Sequence, residues 1–303
     1  MQLSSLTAAA PLLLRIVSHN IRYATTAPFR GEELWPVRLP HLTSQLHHLT
    51  ASSPTIPTVL HLQEVLHSQL VDVLSSLNAD LPPSSHWSSI GVHRNDGKLA
   101  GEASPILYQP SILTPLTNET TWLSPTPTVP SKGWDASSIR IVTHGIFRHT
   151  PTNTTLAFLS THLDDQGSVA RLHAAEMLIS IIAEYRAQGL HVVLAGDFNS
   201  EPTQEAYRRM AASDSGVVDV RSRVTGGRVY GENNTYTGFG HDKDPESVID
   251  FIFVDDEAPA NATAKGDGRK WKVNGYAVMP NKFADVGVFI SDHRAVVADL
   301  ELS

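Results

Sequence analysis

The chain contains no cysteine, which excludes disulfides, a thiolate nucleophile and any Cys-ligated zinc or iron–sulfur centre. No apolar run reaches the length of a membrane-spanning helix. Basic residues are in deficit: 23 Lys and Arg against 31 Asp and Glu give a formal charge of −8. Tight, non-specific binding to duplex DNA draws on Lys and Arg that neutralise phosphates, so this balance argues against it. It leaves room for a small phosphorylated substrate held by one arginine and a metal. The 15 histidines are scattered, with no H-E-x-x-H or comparable zinc signature. A basic n-region is missing ahead of the short apolar segment in which Ala8-x-Ala10 imitates a cleavage site. Asn-x-Thr sequons at Asn118, Asn153, Asn233 and Asn261 would suit secretion, but such tripeptides arise readily by chance, and a cytoplasmic location is expected.

What is present is ordinary globular material. A chain of 303 residues with 41% hydrophobic and 18% charged residues can bury a large core. Leu12–Val17 reads as a strand ending in Ser18-His19-Asn20. Leu39, Leu42, Leu46 and Leu49 recur at helical spacing up to the loop Ser52–Pro54. Thr58–Glu64 is a second strand with a carboxylate at its end, and Leu66, Leu70, Val73, Leu74 and Leu77 mark a second helix. Strands follow at 87–93, 105–108, 120–123, 140–147 and 156–161, then a helix over Ala170–Arg186 stopped by Gly189. A helix near 204–211, a Gly/Asn-rich loop over 213–246 with little regular structure, and a strand over 248–254 come next. The charged loop Asp255–Lys270 precedes a last strand at 295–301. With no internal repeat and no linker, residues 1–303 read as one α/β domain with a core over about 12–302, two sheets packed face to face with helices outside.

The chain is organised around Val192–Pro202, where an apolar run ends in Gly196-Asp197-Phe198-Asn199 and is stopped by a proline. The i, i+2 spacing points Asp197 and Asn199 the same way, with Phe198 in the opposite layer. A carboxylate beside a carboxamide suits the orientation of a water and an oxyanion next to a hard metal. An Asx-rich turn would explain that pair alone. Polar residues stand at the other strand ends too: Asn20, Glu64, His162 with Asp164, Asp250, and Asp292-His293. Brought into one pocket, so many carboxylates require a cation, for which Mg²⁺ or Mn²⁺ is the natural choice.

Six stretches in this order, Ser18–Tyr23, Leu62–Glu64, Ser160–Asp164, Gly196–Asn199, Ile249–Val254 and Ser291–Val296, resemble the successive motifs of the endonuclease/exonuclease/phosphatase superfamily, over nearly the whole chain. The resemblance implies a four-layer α/β/β/α sandwich and Mg²⁺-dependent cleavage of phosphoester bonds by in-line attack of water. It implies a metal site at Glu64, Asn20 and Asp292, with Asn20 orienting Glu64 or the phosphate and Asp292 pairing with His293. It makes His293 a group that touches the phosphate or activates water, and Asp197 and Asn199 the pair that positions water and phosphate oxygens. His162 falls near the leaving group, with Asp250 orienting it. Either His293 or Asp197 would serve as general base.

Two further stretches, 91–108 and 122–136, resemble a microbial branch of that superfamily described only as predicted hydrolases. There Arg94 would clamp a phosphate, Glu102 would add an acid to the pocket, and Trp134 would stack on a sugar or base. Asp164 is assigned with them to substrate binding. A loop tied by Arg–Asp pairs and a buried Trp anchor is the competing reading of the same residues. The expected activity is metal-dependent hydrolysis of a small or single-stranded phosphorylated substrate. A DNA or RNA nuclease of the same fold is the alternative, and a non-catalytic binding protein is a third reading.

Overall fold

The computed structural model describes residues 11–51, 56–224, 228–240, 245–256 and 268–303. The Ala8-x-Ala10 segment, the loop Ser52–Pro54, the sequon at Asn261 and most of the loop Asp255–Lys270 lie outside the described residues.

The chain opens with β1 (Leu12–Asn20), crosses through α1 (Trp35–Ala51) to β2 (Thr58–Gln63), and continues through α2 (His67–Asn78). Short strands follow: β3 (Ser88–Ile90), β4 (Ile106–Tyr108), β5 (Leu113–Pro115) and β6 (Glu119–Trp122). The long hairpin of β7 (Ile141–His149) and β8 (Thr154–His162) leads through α3 (Ser168–Ala187) to β9 (His191–Asp197) and α4 (Glu205–Met210). After β10 (Val217–Asp219), β11 (Val229–Gly231), β12 (Asp250–Asp255) and β13 (Trp271–Val278), the chain forms the pair β14 (Lys282–Phe283) and β15 (Val288–Phe289) and ends in β16 (Val296–Leu302).

One sheet runs β11-β13-β16-β1-β2-β4-β3, the other β10-β12-β9-β8-β7-β5, with β6 also on β7. Alternation along the strands sorts their side chains into layers. Leu12, Leu14 and Ile16 of β1 meet Phe158, Val193 and Ala195 of the other sheet in the inter-sheet core. Val17, Leu60 and Leu62 pack instead under Leu42, Leu46 and Val73 of α1 and α2. Val192, Leu194 and Phe198 pack under Leu178 and Ile182 of α3. Strands buried on both faces read as continuous apolar runs, and the result is the four-layer α/β/β/α sandwich.

Strand direction explains why polar residues gather on one edge. β1 pairs parallel with β2, and β8 parallel with β9, and the bond from Asn20 at the end of β1 to Asp197 at the end of β9 puts both pairs' ends on one side. β16 is antiparallel to β1 and β12 antiparallel to β9, so their first residues lie on that side as well. Hence Asn20, the residue after β2, His162, Asp197, Asp250 and the segment leading into β16 meet between the two sheet edges. Arg38 ties this edge together from α1. Its guanidinium is fully buried and donates to the carbonyls of Ile21, Arg22 and Ile290.

Four strands escaped the sequence reading: β5, β13 and the two-residue pair β14 and β15. β13 has Lys272 and Asn274 in a pattern broken by a bulge between Val273 and Gly275, which interrupts the period-2 signal. β5 is three residues long with a proline at its end. Among the described residues of 213–246 the regular structure is β10, β11 and short 3₁₀ turns.

Candidate active site

Asn20 is fully buried and sits at the centre of the cluster. Its amide nitrogen donates to Glu64 Oε1 and to Asp197 Oδ2, both at 3.0 Å, and its oxygen accepts the Arg22 N–H at 2.9 Å. The amide therefore binds the two sheets together at their edge and orients both carboxylates. Glu64 adopts a positive φ of 59° just past β2. Its second oxygen accepts the Tyr23 N–H at 3.1 Å and lies 3.6 Å from Arg22.

On the second sheet, register alone sets His162 and Asp250 on either side of Asp197. Asp197 Oδ1 accepts the N–H of Asn199 at 2.9 Å, an Asx turn in which Asn199 takes a φ of 44°. The Asn199 amide nitrogen donates to the Leu163 carbonyl and to His162 Nε2, each at 3.0 Å. Because the Leu163 carbonyl can only accept, the amide nitrogen must face it, and His162 Nε2 is left as an acceptor. Its proton then resides on Nδ1, 3.9 Å from Glu102 Oε2.

His293 is held differently. Its Nδ1 lies 2.9 Å from Asp250 Oδ2, and its Nε2 lies 3.6 Å from Asp197 Oδ2. Burial works against its charge, but Asp250 first and Asp197 second outweigh this and raise its pKa well above the usual range. Burial lowers the His162 pKa well below that range, helped by Arg140, Arg94 and His293. Two histidines on one cleft floor thus favour opposite protonation states. The Asp197 carboxyl is pushed up to about 7 by burial and by Asp250, and Glu102 to about 7 by burial and by Glu64. Asp292 is raised by burial and by the charge of Glu64. One donor atom from each of Asp197, Asp250 and His293 lies within 4.8 Å of the others, a group with the spacing to hold a metal ion.

These residues open onto a cleft of ≈ 650 Å³ lined by Glu64, Arg94, Glu102, His162, Asp197, Asn199, Asp292 and His293 among others. Arg94 lines it while making a two-pronged ion pair with Glu102, at 2.7 and 2.9 Å. Four assignments need correction. Asp250 orients His293 and not His162, since β12 begins opposite Asp197 and beside the turn into β16. The same bond displaces Asp292 as the direct partner of His293; the Asp292 carboxylate instead accepts from Ser291 Oγ at 3.3 Å. Asp164 and Trp134 do not line the cleft. Asp164 accepts the N–H groups of Ser137, Ser138, Gln166 and Gly167 and tethers the loop ahead of α3. Trp134 stacks on His173, ring centroids 4.4 Å apart.

The cleft also contains residues to which the sequence reading gave no role. Arg22, Tyr23, Phe29, Arg140, Asp165, Gln166, Glu201, Gln204 and Tyr236 line its walls. Arg22 and Tyr23 stood inside the Ser18–Tyr23 motif, and their nearness to Asn20 was the available signal. Arg140 carried none, because its place at the mouth depends on β7 pairing with β8.

A profile of the Endonuclease/Exonuclease/phosphatase family matches residues 17–293. Among curated proteins none matches the chain. Among solved structures, a Bacteroides thetaiotaomicron endonuclease/exonuclease/phosphatase family protein is 28% identical with a TM-score of 0.81, covering 98% of this chain and 97% of its own. A mannosyl-6-phosphatase from the same organism is 28% identical with a TM-score of 0.79, covering 95% of this chain and 99% of its own. TDP2 from D. rerio, complexed with a single strand DNA product, shares the fold at 17% identity and a TM-score of 0.67, covering 95% and 98% of the two chains. By the extent of the profile match and the order of its motifs, this chain belongs to the endonuclease/exonuclease/phosphatase family.

Proposed function

We propose that the chain is a divalent-metal-dependent phosphoesterase that hydrolyses a small or single-stranded phosphorylated substrate by in-line attack of water. The observation that carries this reading is the shared floor of the cleft, where a histidine favouring the charged form and a histidine favouring the neutral form flank Asp197 at 3.6 and 3.5 Å. Asp197, with an affinity for protons near neutrality, takes the proton from the attacking water. His293, charged through Asp250, donates its Nε2–H to a phosphate oxygen. His162 stays neutral and positions Asn199, leaving the Asn199 oxygen to orient the water. Arg22 and Arg94 add positive charge at the walls.

The donor set fits a hard cation. Glu64 and Asp292 are buried carboxylates close enough for one charge to disfavour the other, and Asn20 fixes the orientation of Glu64. We assign Mg²⁺ or Mn²⁺ to Glu64 and Asp292 because oxygen donors suit hard ions. His293, engaged by Asp250, is a weaker candidate ligand. When bound, the cation supplies positive charge for the oxygens of the reacting phosphate. A 28%-identical structure named as a mannosyl-6-phosphatase favours a small ester over a polynucleotide.

The test is hydrolysis of an aryl monoester, an aryl diester, an inositol phosphate, a sugar phosphate, single-stranded DNA and plasmid, with and without Mg²⁺ or Mn²⁺. Metal-dependent turnover of a small ester is expected, with Asp197→Asn lowering kcat by about 10²–10⁴-fold. Plasmid nicking without small-ester turnover would support a nuclease instead. Silence on every substrate, with no metal bound by calorimetry, would leave only the fold.

A further inference from the structure

The floor of the cleft handles phosphorus, and its walls meet whatever the phosphate is attached to. From the first sheet, the loop between β1 and α1 contributes Tyr23 and Phe29. Phe29 is 63% exposed, yet it is firmly held. Its N–H donates to Glu32 Oε2 at 2.9 Å, and the Arg22 guanidinium lies 4.8 Å from its ring and 4.3 Å from that of Tyr23. Arg22 is itself fixed by Glu32 at 3.2 Å. The result is an exposed ring, anchored from behind, at the mouth of a polar cleft.

From the second sheet, the loops that follow β8 and β9 contribute Asp165, Gln166, Glu201 and Gln204, all exposed. Gln204 Oε1 accepts the Glu201 N–H at 2.8 Å, and Gln166 Nε2 donates to Asp165 at 2.9 Å, so each carboxamide is tied to its carboxylate neighbour. This wall offers two carboxylates and two carboxamides; Asp165 is paired with Arg140 at 2.7 Å, which leaves Glu201 as the wall's negative charge.

Building on the phosphoesterase reading, we infer that the alcohol leaving group is an uncharged, polyhydroxylated ring, which makes the substrate a sugar monophosphate. The C–H face of a sugar ring rests on Phe29, and its hydroxyls donate to the carboxylates and bond to the carboxamides of the second wall. Glu201 repels a second phosphate on the leaving group, which disfavours sugar bisphosphates and polynucleotides on electrostatic grounds. Phe29 is the ring platform, and Glu201 is the discriminating charge.

The experiment compares kcat/KM with Mg²⁺ for a hexose 6-phosphate, a hexose 1,6-bisphosphate, p-nitrophenyl phosphate and a short single-stranded DNA, in the wild type, Phe29→Ala and Glu201→Gln. The monophosphate is expected to be preferred over the bisphosphate. Phe29→Ala should raise KM for the hexose 6-phosphate about three- to tenfold with little change in kcat, the size of one ring contact. Glu201→Gln should raise that KM and also narrow the gap to the bisphosphate, a change that mere structural damage would not produce. Equal or better use of the bisphosphate or DNA, or an unchanged KM in Phe29→Ala, would overturn the inference, while turnover of p-nitrophenyl phosphate would still uphold the phosphoesterase reading. If nothing is hydrolysed, that reading fails, and saturation-transfer NMR with the hexose 6-phosphate decides the wall alone. Transfer to the ring C–H protons that is lost in Phe29→Ala supports it; no transfer in the wild type overturns it.

Discussion

His61 lies in the inter-sheet layer with its ring centroid 6.0 Å from Phe158, and its ring makes no well-formed hydrogen bond. Burial lowers its pKa to about 3, opposed by the Leu159 backbone. The unfolded chain, with an ordinary histidine near 6.5, therefore binds the extra proton between about pH 6.5 and 3. Stability contributed by neutral His61 is complete above pH 6.5 and is lost as the pH falls through that window. His61→Leu should be close to neutral at pH 7, since it removes poorly paired polar atoms from an apolar layer. It should also flatten the acid loss of stability. Chemical unfolding at pH 7 and pH 5 tests this, and an unchanged difference between the two would contradict it.

At the scale of elements, the site depends on how closely β8 and β9 approach and on how the loop before α3 is tied. A Cβ on Gly196 would stand 2.2 Å from the Thr161 carbonyl oxygen. Gly196→Ala should therefore push β9 away from β8, cost about 1–3 kcal/mol and move Asp197 with it; a thermal melt and an activity assay read both effects. Asp164 is 2% exposed and beside Arg140. Burial opposes its ionisation, but the N–H groups of Ser137, Gly167 and Ser138, with Arg140, hold its carboxyl well below the usual range. Asp164→Ala should destabilise by about 1–3 kcal/mol, because several N–H groups lose their acceptor while Arg140 keeps Asp165 at 2.7 Å. Trp134→Ala should leave KM unchanged. Substrate binding that collapses on Trp134→Ala would restore the role that the sequence suggested for it.

These elements also show why some of the site was legible and some was not. Strand ends are marked by apolar runs that stop at Asn20, Glu64, His162 and Asp197, so membership of the cluster can be read without coordinates. Partnership cannot. Whether Asp250 faces His162 or His293 depends on the antiparallel register Asp250↔Asp197, which no local pattern encodes. An exposed-looking tryptophan in a loop is likewise the same string whether it meets a ligand or, as here, His173. β13 was hidden by its bulge, and Phe29 by a loop whose path depends on Glu32 and Arg22.

For the whole molecule the formal charge is −8, and in the proposed reading a cation between Glu64 and Asp292 would let a single phosphate enter a cleft that also carries Arg22, Arg94 and Arg140. Among the described residues no helix is long and apolar enough to cross a membrane. We propose that the clustered carboxylates hold a metal used in phosphoester hydrolysis. Metal-stripped protein should be assayed for phosphate release from p-nitrophenyl phosphate while Mg²⁺ is titrated, beside Glu64→Gln. The expected result is no turnover in chelator, a saturable rise with Mg²⁺, and a requirement for about tenfold or more Mg²⁺ in the variant. Full turnover in chelator, or the same Mg²⁺ response in Glu64→Gln, would contradict it.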